Sequence, residues 1–365
     1  MLEREDIGMQ IRYNKLQELL AAKKLDAVLV SDGYNMRYLS GFTGATGYLL
    51  VTRKSKTLFT DSRYTIAATA QAPDYTVVEV DAARDYCKFI NTVLEAENIV
   101  VLGFEANQVR YSIYEGLKAR LSAKELVPLG DELANLRRIK TAEEIELHRQ
   151  AEHIGDIAFE EILKEIKPGM TELEVAAKLE YIMKLNGADK LSFESIVASG
   201  INSSKPHAEP GQKKIELGDF VTMDFGCVYG GYCSDMTRTV VVGKANDRQK
   251  EIYNTVLAAQ QAVLDMLKPG LKGKEYDKVA RNVIYGAGYE GYFGHGLGHG
   301  VGLEIHENPR FSMIEEDIIE AGMIMTVEPG IYIPAFGGVR IEDMVVMTPD
   351  GHDNLTCSRK ELIEL

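Results

Sequence analysis

Four acidic residues and one histidine in the second part of the chain have the types and spacing of a metal site: Asp224, Asp235, His299, Glu328 and Glu342. In Phe220-Val-Thr-Met-Asp224, strand alternation puts Thr222 and Asp224 on one face and Val221 and Met223 on the other. In Met323-Ile-Met-Thr-Val-Glu328, Thr326 and Glu328 share a face opposite Met325 and Val327. Both runs are otherwise apolar enough to be buried, and a buried acid needs a partner because desolvating a charge is costly. Four such acids also repel one another; at ~4 Å and an effective dielectric of ~20, each like-charged pair costs about 4 kcal/mol. Arg238 and Arg340 would offset part of that cost, and two divalent cations would neutralise all four acids. His299 lies in Gly294-His-Gly-Leu-Gly-His-Gly-Val-Gly302, where glycines let backbone and ligand approach closely. Four hard oxygens and one nitrogen suit Mn, Fe, Co or Zn. Two such ions a few ångströms apart can clamp a bridging hydroxide and polarise a carbonyl. The competing reading is a structural ion-pair network between the acids and the two arginines.

The elements that would bring these residues together are written as an internal duplication. Lys167-Pro-Gly-Met170 recurs as Lys268-Pro-Gly-Leu271, and each opens a helical stretch carrying Glu174 or Glu275 at the same place. Thr171 and Glu174 form a capping-box pattern. The helices are expected to fade at Gly187-Ala188 and Gly286-Ala287. His207-Ala-Glu-Pro210 then matches His306-Glu-Asn-Pro309, and Glu216-Leu-Gly218 matches Glu320-Ala-Gly322. Finally Thr222-Met-Asp-Phe-Gly226 matches Thr326-Val-Glu-Pro-Gly330, with Asp235 and Glu342 each preceding a β-run. Each half reads as helix, loop with His-x-x-Pro, then a hairpin bearing two acids. Two such halves facing each other would gather the four carboxylates about a pseudo-twofold axis.

The first third alternates helix and strand patterns, which predicts an α/β domain. Helical spacing runs from Met9 to Lys23, and strands are expected at Leu25–Val30, Thr57–Thr60, Tyr75–Val80 and Ile99–Phe104. A long charged helix starts after residue 131, so the expected domains are 1–130 and 131–365; 365 residues make two domains the natural prior. On that helix His148 and His153 are expected to be solvated, as is His352 in its terminal turn. The net charge of -14 disfavours nucleic acid and anionic membrane as partners. No secretory signal and no membrane-length apolar run is visible, and four cysteines without CxxC spacing are no disulfide framework. Cys227 and Cys233 are taken as packing residues, and a cytoplasmic protein is expected.

At these residues the chain resembles the pita-bread metallopeptidases of peptidase family M24, in the Xaa-Pro aminopeptidase and prolidase branch. The matching words are Met223-Asp-Phe-Gly226, Tyr232-Cys-Ser-Asp-Met-Thr-Arg-Thr239, His295-Gly-Leu-Gly-His-Gly-Val-Gly-Leu303, Ile305-His-Glu307, Thr326-Val-Glu-Pro-Gly330 and Gly338-Val-Arg-Ile-Glu-Asp343. Asn35-Met-Arg-Tyr-Leu-Ser-Gly-Phe-Thr-Gly44 and Thr60-Asp-Ser-Arg-Tyr64 resemble the creatinase-like N-terminal domain of that branch. The resemblance implies an α/β N-terminal domain followed by an α+β pita-bread catalytic domain. It implies Asp224 on the first metal, Asp235 and Glu342 bridging both, and His299 and Glu328 on the second, with Glu328 also shuttling a proton. His207 and His306 would stabilise the tetrahedral intermediate, and Arg340 would hold the acids from behind. Two divalent ions are implied, Mn first, with Co, Zn or Fe as alternatives. The implied partners are short peptides beginning Xaa-Pro, and the implied assembly is a homodimer. The expected activity is Xaa-Pro aminopeptidase. The alternatives are a dipeptidase restricted to Xaa-Pro, and a metal-free binding module of the same fold. The glycine-rich stretch from His295 to Gly302 and the apolar Ile331, Tyr332 and Phe336 are expected to help wall the proline ring.

Overall fold

The computed structural model describes residues 2–365, with side chains from Gly8 onward. The chain divides into two compact units, one ending at Arg137 and the other starting at Arg138. The expected junction near 130 thus lies seven residues early, because the short helix Glu132–Asn135 belongs to the first unit and buries Leu133.

The first unit is α/β as expected. Its six-stranded sheet runs Thr76–Glu79, Lys56–Thr60, Tyr48–Thr52, Ala27–Val30, Val101–Glu105, Glu125–Leu129 in spatial order. Tyr48–Thr52 pairs antiparallel on both sides, and the outer pairs are parallel. The helix over Leu2–Ala22 covers the expected helical run. The apolar strand residues Ala27, Leu29, Leu50, Phe59 and Leu102 pack with Ile90, Leu94 and Leu117 of the helices into one core.

The second unit is built from two matching halves. In the first, the helices Ala142–Ile162 and Glu172–Leu185 cover a sheet of Met236–Val241, Phe220–Phe225 and Ile196–Ser199. Val221, Met223 and Phe225 face those helices, as alternation requires, and leave Thr222 and Asp224 on the other face. In the second, the helices Asp247–Met266 and Gly273–Gly286 pack on Met325, Val327, Val345 and Met347. Those residues lie in a five-stranded sheet of Glu307–Phe311, Gly298–Gly300, Ile324–Val327, Asp343–Thr348 and Gly351–Asn354.

The duplication extends to single hydrogen bonds. Gly169 N–H donates to Ile215 O, and Gly270 N–H to Ile319 O, each at 2.9 Å. Isolated bridges join Thr171 to Lys214 and Lys272 to Ile318. Gly218 and Gly322 hold φ of 88° and 86°, a conformation that favours glycine. The predicted capping box of Thr171 and Glu174 is present. One match needs correcting. The counterpart of Gly187 is Gly288 rather than Gly286, since both glycines have positive φ and the following N–H groups return to Met183 O and Ile284 O. The second helix ends at Gly286 with Ala287 as its C-cap, as expected, so only the pairing of the glycines shifts.

Candidate metal centre

Each half ends in the same device: an acid closing a strand, a hairpin, and a second acid before the next strand. Asp224 lies in Phe220–Phe225, followed by the hairpin Cys227–Tyr229 with Tyr232–Cys233, then Asp235. Glu328 follows Ile324–Val327, the hairpin is Gly330–Ile333 with Gly337–Arg340, and Glu342 comes next. The halves are sewn together at this point. Glu342 N–H donates to Thr237 O at 3.1 Å, and the Thr237 hydroxyl donates to Glu342 Oε2 at 2.6 Å. Gly298 lets the His299 strand lie against the Glu328 strand, because a Cβ there would fall 2.1 Å from Thr326 O.

All five expected ligands converge on one cavity of about 500 Å³. Asp235, His299 and Glu342 each bring a ligand atom within 4.8 Å of the others. His299 Nε2 lies 3.4 Å from Asp235 Oδ2 and 3.6 Å from Glu328 Oε1. Its Nδ1 is 3.0 Å from Gly300 O, and a carbonyl only accepts, so Nδ1 donates there and Nε2 is the ring atom left facing the carboxylates. An imidazole nitrogen and two carboxylates pointed at one spot form a ligand set of the kind that holds a divalent ion. Asp224 Oδ2 takes Arg340 Nη2 at 2.6 Å, while its Oδ1 is buried without a hydrogen-bond partner among the described residues. An orphaned buried oxygen beside this cluster fits a metal ligand. Burial, together with Asp224, pushes the Asp235 carboxyl well above the usual range; burial, with Asp235, Glu328 and Asp224, does the same to Glu342. Burial lifts Glu328 to about 7 against the pull of His299. The donor set therefore fits divalent ions.

Arg340 holds the cluster with its whole guanidinium. Nε donates to Thr237 Oγ1 (2.9 Å), Nη1 to the Tyr332 hydroxyl (2.8 Å), and Nη2 to Asp224. Tyr332 in turn lies 2.8 Å from His295 Nε2. His295, expected at the start of the glycine-rich wall, lines the cavity, and burial, aided by Arg340, lowers its pKa to about 3. His207 and His306 also line the cavity, and the His306 ring sits 4.4 Å from that of His299.

Three expectations are corrected. Arg238 does not pair with the carboxylates of the cluster; it is buried on the opposite face, paired with Asp343 at 2.8 Å and donating to the backbone carbonyl of Glu342. Alternation accounts for this, since Thr237 and Thr239 take the face toward Glu342 and Arg340. His148 is fully buried rather than solvated, with Nδ1 2.7 Å from Cys233 O, whereas His153 is exposed as expected and His352 is half-buried. Ile331 and Phe336 belong to the core and Tyr332 supports His295, so the cavity's apolar wall is made by Phe193, Ile196, Pro206, Pro210 and Ile305 instead. Cys227 and Cys233 are buried free thiols, as expected.

The pattern of "Metallopeptidase family M24" matches residues 146–349, and that of "Creatinase/Prolidase N-terminal domain" matches residues 12–139. The chain belongs to metallopeptidase family M24. It is 42% identical over 357 residues to the Xaa-Pro dipeptidase of Pyrococcus horikoshii, covering 97% of this chain and 99% of that protein. The Xaa-Pro dipeptidase structure from Bacillus anthracis superposes with a TM-score of 0.95 at 43% identity, over 98% of this chain and 100% of the other. An X-Pro aminopeptidase structure from Thermotoga maritima gives 0.89 at 37%, over 94% and 98%. The fold is thus a creatinase-type N-terminal domain followed by the M24 pita-bread catalytic domain, and the chain is a metallopeptidase. No helix among the described residues is long and apolar enough to cross a membrane.

Proposed function

We propose that this M24 enzyme hydrolyses the peptide bond between an N-terminal residue and proline, using two divalent ions held by Asp224, Asp235, His299, Glu328 and Glu342. The observation that carries the metal assignment is the facing of His299 Nε2 and the orphaned Asp224 Oδ1 into one carboxylate cluster. When bound, the ions supply Lewis acidity toward the scissile carbonyl and lower the pKa of a water. The chain's own residues do the rest. Asp235 and Glu342, tied across the two halves, would hold the ions. Glu328, whose carboxyl burial lifts to about 7, would take up and return a proton. His207 and His306 donate to the oxygen that gains charge at the reacting carbonyl. Arg340 keeps Asp224 oriented. The Xaa-Pro bond is a tertiary amide with no N–H, so its pocket needs no acceptor there. The apolar wall of Phe193, Ile196, Pro206, Pro210 and Ile305 provides that kind of surface.

A second reading, cleavage restricted to Xaa-Pro dipeptides, is favoured by Arg310. It lines the same cavity as the acids and offers a cation for the carboxylate of a C-terminal proline. The relatives described above carry both names, dipeptidase and aminopeptidase. We further propose Mn as the first metal, with Co, Zn or Fe as substitutes, and a cytoplasmic homodimer as the working form. Metal-loaded enzyme is to be assayed on Xaa-Pro, Xaa-Pro-Yaa, Xaa-Ala and N-acetylated peptides side by side. Xaa-Pro bonds should exceed Xaa-Ala by at least ~10²-fold in kcat/KM, about 2.7 kcal/mol. Equal rates on all four would refute proline specificity, and cleavage of Xaa-Pro-Yaa at the dipeptide rate would refute the dipeptidase reading. Light scattering checks the dimer.

A further inference from the structure

The helix Ala142–Ile162 carries Glu144, His148, Glu152 and Asp156 at intervals of four, and all four are buried. That spacing forms a single stripe, covered by the 232–235 run at one end and the 356–358 segment at the other. Glu144 Oε1 accepts from the Tyr232 hydroxyl at 2.7 Å, and His148 donates to Cys233 O at 2.7 Å. Asp156 Oδ1 accepts from Ser358 N–H at 2.7 Å and from the Ser358 hydroxyl at 2.6 Å. Glu152 differs from the rest because its two oxygens reach both halves of the site. Oε2 accepts from Asp235 N–H at 3.2 Å, and Oε1 accepts from the Thr356 hydroxyl at 2.6 Å. Thr356 Oγ1 also accepts from Met344 N–H at 2.9 Å. Met344 lies two residues beyond Glu342, so Asp235 and the strand leaving Glu342 are joined through Glu152 and Thr356. On the cavity side the same two acids are joined through Thr237.

We propose that Glu152 and Thr356 are positioning residues that set the separation of Asp235 from Glu342, and with it the affinity for the ions those two acids hold. This inference rests on the dinuclear-metal reading above. The side chains of a metal centre have to be held within about half an ångström of their working positions. Glu152 holds Asp235 through its backbone, so losing the contact frees the whole residue and not only a rotamer. Partners of this kind, one bond behind the ligand, are worth ~10–100-fold in metal affinity. Asp156 supplies the comparison. It sits on the same stripe and is also buried, but it reaches only the 357–358 segment.

The test is calorimetric titration of metal-stripped protein with Mn²⁺, with circular dichroism and thermal melts on the same samples. Glu152→Leu and Thr356→Val should each weaken Mn²⁺ binding by ~10–100-fold, and should lower kcat more than they raise KM. Glu152→Gln should recover most of the affinity, because its amide oxygen still accepts from Asp235 N–H. Asp156→Asn should lower the melting temperature with Mn²⁺ affinity unchanged. Wild-type affinity in folded Glu152→Leu and Thr356→Val overturns the inference. If Glu152→Leu does not fold, Thr356→Val decides alone, since it removes one hydroxyl at constant shape. Wild-type protein that takes up no divalent ion overturns the metal reading and this inference with it.

Discussion

The two halves of the catalytic unit share a frame and differ in what hangs from it. Both place an acid at the end of a central strand and another after a hairpin. Across from Thr222 the first half has Ala198. In the corresponding place beside Thr326, the second half has His299, whose N–H donates to Thr326 Oγ1 at 3.1 Å. Two residues before the second acid, the first half has Cys233 and the second Arg340. Duplication therefore accounts for the acids, which come in pairs. The imidazole and the guanidinium come from one half only, and they make the centre asymmetric. His299 faces Asp235 and Glu328, while Arg340 faces Asp224. Two ions bound here would not have equal surroundings.

The comparison is broken most severely by making the second half like the first. His299→Ala should leave a folded protein that holds fewer ions than the wild type by elemental analysis. Its kcat/KM should fall at least ~10³-fold, about 4 kcal/mol. Normal activity with normal metal content would remove His299 from the ligand set. Next comes Arg340→Met. The buried guanidinium serves Thr237, Tyr332 and Asp224 from three different nitrogens. Removing one partner of a buried pair typically costs ~3–5 kcal/mol. The melting temperature of metal-free protein should therefore drop, and kcat/KM should fall ~10²-fold or more. Arg340→Lys should not restore either, because an ammonium cannot match that fork. A lysine variant with wild-type melting and turnover would show that only the charge matters.

Much of this site was legible in the sequence because two short-range rules reach it. Strand alternation assigns Thr222 with Asp224 and Thr326 with Glu328, and the repeated words assign the halves. The same alternation, applied to Met236–Val241, turns the Arg238 side chain away from the acids, which charge alone does not reveal. Glu125–Leu129 carries a proline, which weakens its strand pattern. The buried stripe of Ala142–Ile162 is a different case. Acids and a histidine four apart on a helix look the same in sequence whether water or a hairpin covers them. What covers them here is the Tyr232–Asp235 run and the 356–358 segment, far away in the chain. The shift of Gly187's counterpart from Gly286 to Gly288 is hidden in the sequence because only backbone φ shows which glycine makes the left-handed turn after the helix.

That stripe also separates the halves in a way that pH can read. Among the described residues, the second half's long helix, Asp247–Met266, buries Gln249 and Gln260 but no acid, histidine, lysine or arginine. The first half's helix buries His148, and burial, with Lys140 nearby, lowers its pKa from 6.5 to about 3. An unfolded histidine binds a proton below about 6.5, and the folded one does not until about 3. The unfolded state then holds more protons across that window, so stability falls as the pH drops through it. His148→Phe keeps a ring against Tyr232, which packs edge-on at 5.1 Å, and removes the titration. At pH 7 the variant should be the less stable by about 1 kcal/mol, the worth of one hydrogen bond to Cys233 O. Between pH 7 and pH 5 that deficit should shrink or reverse, by about 1–2 kcal/mol, or a few degrees in melting temperature. Titrations common to both proteins cancel in the difference between them. Thermal melts of wild type and variant at half-unit pH steps measure it, and a constant gap from pH 7 to 5 would mean that His148 is protonated in the fold.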